Sequence, residues 1–155
     1  MPELKKRADQ GDSPYNLRSC AYLDEFNKQK IVYKEISQEL SFSLASEDMI
    51  ILNTAYMITS KKRDELKWLL MFLNSKIINW YYHKVSTQLG SATRMLYMNV
   101  VRIPIIRFED NIALFDEMNG YINDKNSDAI DDMIFELYGL SKGEIKYVLN
   151  STSIT

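Results

Sequence analysis

Apolar and polar positions follow two different periods along the chain, and the period changes near residue 64. In residues 30–37, KIVYKEIS, Ile31, Tyr33 and Glu35 fall on one side of an extended chain, and Val32, Lys34 and Ile36 on the other. A period of two in a β-branched and aromatic stretch predicts a strand. A weaker alternation of Leu40, Phe42 and Leu44 predicts another strand before a turn at Ser46-Glu47-Asp48. Apolar residues around Asn53-Thr54 predict one more. Such spacings fit a meander of short strands.

From Leu66 the spacing becomes helical. Leu66, Leu69, Leu70, Leu73, Ile77, Trp80 and Lys84 recur at three and four residues, but Asn74-Ser75 cuts the stripe. Side-chain oxygens of such residues satisfy the free N–H groups of a helix start, so Ser75 is expected to open a second helix. The reading is two linked helices, 64–74 and 75–86. Trp68, Phe72 and Tyr82 lie off the stripe and predict packing on two sides. Residues 87–94, TQLGSATR, read as a polar loop, Met95 to Met98 as a return to the sheet, and 99–103 as a helical turn stopped before Pro104.

The last third is helical in period. Phe108, Ile112, Phe115, Met118 and Ile122 form one stripe, and Ile130, Met133, Ile134, Leu137 and Tyr138 another, with a turn at 124–128 and Ser127 as the expected cap. Gly139 stands where a helix closes in the left-handed conformation, with Leu140 folding back. Ser141 and Glu144 have the spacing of a capping box that opens a short final helix.

These elements predict an α+β fold: a small twisted, mainly antiparallel sheet packed by two consecutive helices, then a C-terminal helical segment. Residues 1–14, ending in Gly11-Asp12-Ser13-Pro14, read as a flexible lead-in. Residues 15–107 read as the α+β domain, and 108–155 as C-terminal helices packed on or extending from it.

A chain of 155 residues, 46% hydrophobic, suffices for one domain with a real core. The net charge of −2 conceals an asymmetry. Residues 1–107 hold 16 Lys and Arg against 11 Asp and Glu, while residues 108–155 hold 3 against 10. The first part is thus able to present a basic face. The lone Cys20 has no internal disulfide partner, which points to a reducing, cytoplasmic compartment. The polar start does not read as a signal peptide, and no apolar run has the length of a membrane span.

Nucleotide-binding, zinc-protease, thiol-redox and nucleophile-elbow motifs are not found. His83 has no nameable catalytic partner and reads as structural. Cys20 and His83 are too few ligands for zinc. Asp131-Asp132 and Asp24-Glu25 are sequence neighbours that do not face each other on a helix, and the acidic tail reads as a solvated face.

Taken in order, LRSCAYLDEF (17–26), KIVYKEIS (30–37), NTAYMIT (53–59), LKWLLMFLNSKIINWYYHKVS (66–86), RMLYMNVVRIPI (94–105) and IDDMIFELYGLSKGEIKYV (130–148) resemble the TaqI-like C-terminal specificity domain. That resemblance implies the DNA target-recognition module of adenine-N6 methyltransferases and fused methyltransferase–nucleases in bacterial restriction–modification systems. Neither an N-P-P-[Y/F] motif nor the nuclease acids and Lys are recognisable, so the expectation is a recognition part with no activity and no cofactor of its own. S-adenosylmethionine, and Mg²⁺ if a nuclease is present, would belong to a linked or associated catalytic domain. The implied partners are double-stranded DNA and that domain, with no membrane.

Base reading needs Arg or Lys for guanine, Asn or Gln for adenine and Asp or Glu for cytosine, presented from a firm frame. The resemblance points to the stretch after the first strand: Lys34, Ser37, Gln38, Glu39 and Ser41. The loop with Gln88, Ser91, Thr93 and Arg94 is a second candidate. Lys61, Lys62 and Arg63 at a helix start form a third, suited to phosphates. Trp80-Tyr81-Tyr82 read as core, not as a stacking platform. The rival function is a protein-interaction module that docks a partner through the acidic C-terminal helices.

Overall fold

The central strand of the first sheet is also the first in sequence. In the computed structural model, β1 (Lys30–Lys34) is flanked on one side by β3 (Phe42–Ala45) and on the other by β4 (Ala55–Thr59), both antiparallel to it. This differs from a meander, in which sequential strands would be spatial neighbours. The structure describes residues 4–6, 8, 10–13, 15–16, 22–52, 54–123 and 125–152. Cys20, Asn53 and much of the expected lead-in lie outside them.

The predicted strand at 30–37 is split. After β1 the chain bends at Glu35 and enters a second antiparallel sheet as β2 (Ile36–Ser37). There it pairs with β6 (Ala92–Arg94), which pairs in turn with β5 (Gln88–Leu89). Glu35 belongs to both sheets through its backbone: its N–H donates to the carbonyl of Thr54 at 3.1 Å, and its carbonyl accepts from Met95 N–H at 2.7 Å. The expected loop at 87–94 is therefore a hairpin. Its tip carries Gly90 at φ +63°, a conformation that glycine adopts without steric cost. Met95 does not extend the sheet; it is buried ahead of a short helix, α3 (Tyr97–Val100).

The two consecutive helices are α1 (Arg63–Leu73) and α2 (Lys76–Val85). Ser75 caps α2, its hydroxyl oxygen accepting from Ile78 N–H. Asn74 has a separate task. Its Nδ2 donates to the carbonyl of Phe42 at 2.9 Å, and its Oδ1 accepts from Phe42 N–H at 3.0 Å. The interruption in the apolar stripe thus closes one helix, starts the next and ties the joint to the outer strand β3.

The core face of the first sheet carries Ile31, Tyr33 and Phe42, with α1 packed on it. Tyr33 stands between its cross-strand partners, 5.2 Å from the Phe42 ring and 5.4 Å from that of Tyr56. Burial raises the Tyr33 hydroxyl pKa well above its usual value. Trp68 is buried and donates its indole N–H to the carbonyl of Ile106 at 2.7 Å.

The rest is α4 (Ile112–Asn123), α5 (Ser127–Leu137) and α6 (Lys142–Thr152). Phe115 and Met118 are buried, but Ile112 and Ile122, on the same predicted stripe, are exposed. Asn126, not Ser127, caps α5 by accepting from Ala129 N–H. At its end Gly139, at φ +67°, donates to Glu136 O and Leu140 to Phe135 O, the paired bonds of a Schellman closure. Ser141 and Glu144 form the predicted capping box, with Ser141 N–H donating to the Glu144 carboxylate at 2.8 Å.

These helices share one apolar core with the sheet, and α2 packs against both α5 and α6. Trp80 meets Tyr147 of α6 edge to face at 6.2 Å, a packing role. Asp131 overturns the reading of a fully solvated acidic face. It is buried and accepts from Lys76 N–H at 2.8 Å, satisfying the first turn of α2. Burial raises its pKa, opposed by the nearby Lys76. Lys76 Nζ also pairs with Asp128 at 2.6 Å, which lowers the Asp128 pKa.

Candidate nucleic-acid interface

The two polar segments singled out in the sequence are neighbours in one sheet. Ser37 is paired with Thr93, and Ile36 with Arg94. Residues 38–41 leave β2 and re-enter the first sheet at Phe42. Within this short excursion Gln38, Glu39 and Ser41 are exposed, while Leu40 is half-buried and packs against the core. The excursion is held at both ends: Ser37 by its pairing with β6, and Phe42 by Asn74 and β1.

Lys34, Ser37 and Ser41 converge on one open pocket of about 280 Å³, whose wall also includes Val32, Ser43, Ile51 and Ala55. Cross-strand register explains this. Val32 lies opposite Ser43 and Lys34 opposite Ala55, so all four point away from the face that packs on α1. One ammonium and three hydroxyls can donate to phosphate oxygens or to acceptors on base edges. Ser43 is not among the sequence candidates; its position two residues beyond Ser41, on the same strand face, is the signal that marks it.

The hairpin residues divide by role. Thr93 is 1% exposed and turned inward. Its hydroxyl donates to Gln88 Oε1 at 3.0 Å and meets Nδ1 of His83 at 2.9 Å. Having one proton, the hydroxyl accepts from the ring, which puts the imidazole proton on Nδ1. Gln88 Nε2 donates to the carbonyl of His83 and the hydroxyl of Ser86, both at 3.2 Å. Thr93, Gln88 and His83 therefore fasten the hairpin to the end of α2. Thr93 is turned inward and serves as frame rather than facing outward as a reader, whereas Gln88 helps to hold it and is itself exposed. Tyr82 adds to the fastening by donating its hydroxyl to Arg94 O at 3.1 Å.

Ser91 at the hairpin tip is exposed, as is Arg94 on the outer face of the sheet. Arg94 is not loose: its Nε and Nη2 both donate to Oε1 of Glu35, at 3.2 and 2.9 Å. Glu35, absent from the sequence candidates, thus sets the direction of the guanidinium from the strand bend.

Lys61, Lys62 and Arg63 are exposed at the start of α1. That start follows Thr59, which pairs with Lys30 at the far end of β1. At about 3.3 Å per residue, the length of β1, about 13 Å, lies between this end and the bend that leads to Ser37. Lys62 lies 3.3 Å from Glu109, and Arg63 donates to Gln29 at 2.9 Å. The structure brings the first two candidate segments together and leaves the third apart.

Such a surface has exposed amide, carboxylate, hydroxyl and guanidinium groups on a fastened frame, with cations some distance away for phosphates. Its donors and acceptors suit the edges of base pairs. Among the described residues no group of His, Cys, Asp and Glu is arranged to hold a metal ion, and no helix is long and apolar enough to cross a membrane. No match was found among curated proteins. The family model described as the TaqI-like C-terminal specificity domain matches residues 5–105, which include both sheets and the helix pair.

Proposed function

The chain belongs to the TaqI-like C-terminal specificity domain family, a DNA specificity module of restriction–modification enzymes, and from this we propose that it directs an adenine-N6 methyltransferase to its target. In this reading the methyltransferase, linked or associated and in some systems fused to a nuclease, does the chemistry. It also carries S-adenosylmethionine, and Mg²⁺ where cleavage occurs. The setting is a bacterial cytoplasm. The present chain supplies sequence readout of double-stranded DNA.

The observation that supports the reading most is the pairing of Ser37 with Thr93, which joins the 37–41 excursion and the 88–94 hairpin into one surface. Gln38 suits adenine, Glu39 suits cytosine, and Arg94 suits guanine or a phosphate. Lys34, Ser37, Ser41 and Ser91 supply further polar groups. Lys61, Lys62 and Arg63 act on the phosphate backbone of a longer duplex. The acidic C-terminal helices are explained in part without a docking partner, since Asp128 and Asp131 are engaged by Lys76.

Selection from a pool of random duplexes tests the reading. A short sequence should be enriched, and Gln38→Ala or Glu39→Ala should relax preference at one base pair by about 1–3 kcal/mol with the fold intact. Equal weakening on all sequences would reassign the residue to the backbone. Absence of sequence preference even at low salt would overturn the proposal.

A further inference from the structure

Strand order forces an unusual connection. β3 ends at Ala45, opposite Lys30, and β4 begins at Ala55, opposite Lys34. Each is antiparallel to β1, so they are parallel to one another, and residues 46–54 must return along the length of the sheet. The return passes over the face opposite α1. Lys30 sits beneath its start, with its side chain 0% exposed. Its Nζ donates to the carbonyl of Ser46 at 2.7 Å and of Met49 at 3.0 Å, with that of Glu47 at 3.5 Å. A buried ammonium requires such acceptors, and here they brace the backbone of the crossover. Further along, Ile51 turns inward and forms part of the pocket that Lys34, Ser37 and Ser41 line. On either side of it Ile50 and Leu52 project outward, each 76% exposed.

We propose that Ile50 and Leu52 touch thymine 5-methyl groups in the major groove of the bound duplex. The inference rests on the reading of residues 37–41 as a recognition segment. Through Ile51, the crossover shares one pocket with Lys34, Ser37 and Ser41, so Ile50 and Leu52, the crest on either side of Ile51, border the surface that carries that segment. The thymine methyl is the apolar feature of major-groove base edges. Two bulky aliphatic side chains held outward on a braced backbone therefore complement a part of the groove that the polar readers do not.

The test combines Ile50→Ser and Leu52→Ser with uracil in place of thymine in the duplex that the wild type selects. Both side chains are exposed, so melting temperatures should be unchanged. Removing each thymine methyl that the wild type touches should weaken its binding about fourfold. The serine variants should bind the thymine duplex more weakly by a similar factor and be indifferent to uracil. A wild type indifferent to uracil, or serine variants that bind as wild type, would overturn the proposal while leaving DNA recognition standing. Unchanged DNA binding with loss of self-association in sedimentation would assign the crest to a second copy and also overturn it. A wild type that selects no duplex would remove the underlying reading itself.

Discussion

Asn74→Ala isolates the tie between the helix joint and the sheet. The substitution deletes two hydrogen bonds, from Phe42 N–H and to Phe42 O, at 3.0 and 2.9 Å. Each is worth about 0.5–1.5 kcal/mol net, so the pair contributes about 1–3 kcal/mol. Phe42 is buried, so its freed N–H and carbonyl are poorly placed to recover partners from water, which favours the upper half of that range. In denaturant melts the midpoint should fall with an unchanged slope, because the surface exposed on unfolding is unaltered. The local signature is sharper. Hydrogen exchange at the Phe42 amide should accelerate by about tenfold, the equivalent of about 1.4 kcal/mol, while the Ile31 amide in the central strand should report only the global destabilisation. Asn74→Asp keeps the acceptor and removes the donor, so its effect should fall between wild type and alanine. Unchanged Phe42 exchange would refute the assignment, as would aspartate and alanine variants that are equally impaired. The same loosening should reduce discrimination among DNA sequences more than it reduces binding to random duplex, since residue 42 ends the excursion that carries Gln38 and Glu39.

Other consequences can be checked independently. Alanine at Lys61 or Arg63 should weaken binding equally on all duplexes and lower the salt slope of log affinity by about 0.9 for each phosphate no longer neutralised, measured by titration over ionic strength. Lys30→Met should destabilise the fold by about 2–4 kcal/mol in denaturant melts, because charge-assisted bonds to the crossover carbonyls vanish; a change below about 0.5 kcal/mol would contradict the bracing role. Glu144 has a lowered pKa, owing to the Ser141 hydroxyl and N–H. Its folded value lies below its unfolded one, so its contribution is present above the unfolded value and disappears as pH falls through the folded one. Glu144→Gln should remove that part of the acid dependence of α6, followed by NMR, and an unaltered profile would refute the capping role.

How much of the fold is legible in the residues depends on how local each cause is. The helix pair is readable because a stripe at 3.6 residues spans many positions and Ser75 is a local cap. Gly139 and the Ser141–Glu144 box are likewise decided by a few adjacent residues. The hairpin at 88–94 reads as a loop because strands of two and three residues hold too few positions to display a period of two. The order of the first sheet differs from a meander because pairing with β1 is set by packing across the fold, not by sequence neighbourhood. Asp131 reads as solvated beside Asp132, since its partner Lys76 is 55 residues away. The burial of Lys30 is not legible in the sequence because its partners are carbonyls, which residue letters do not reveal. In the site, the segments are visible as polar stretches beside apolar ones. Their adjacency, and the inward turn of Thr93, come only with the register.

Positions 38 to 41 are bounded by two fixed points, the Ser37–Thr93 rung and the Asn74 grip on Phe42. Side chains between them can be exchanged without disturbing either boundary, whereas an added or missing residue pulls against both. On the proposed reading, retargeting is therefore a problem of substitution at constant length, and a swap library confined to Gln38, Glu39 and Ser41, with Leu40 kept as the inward anchor, is the place to begin.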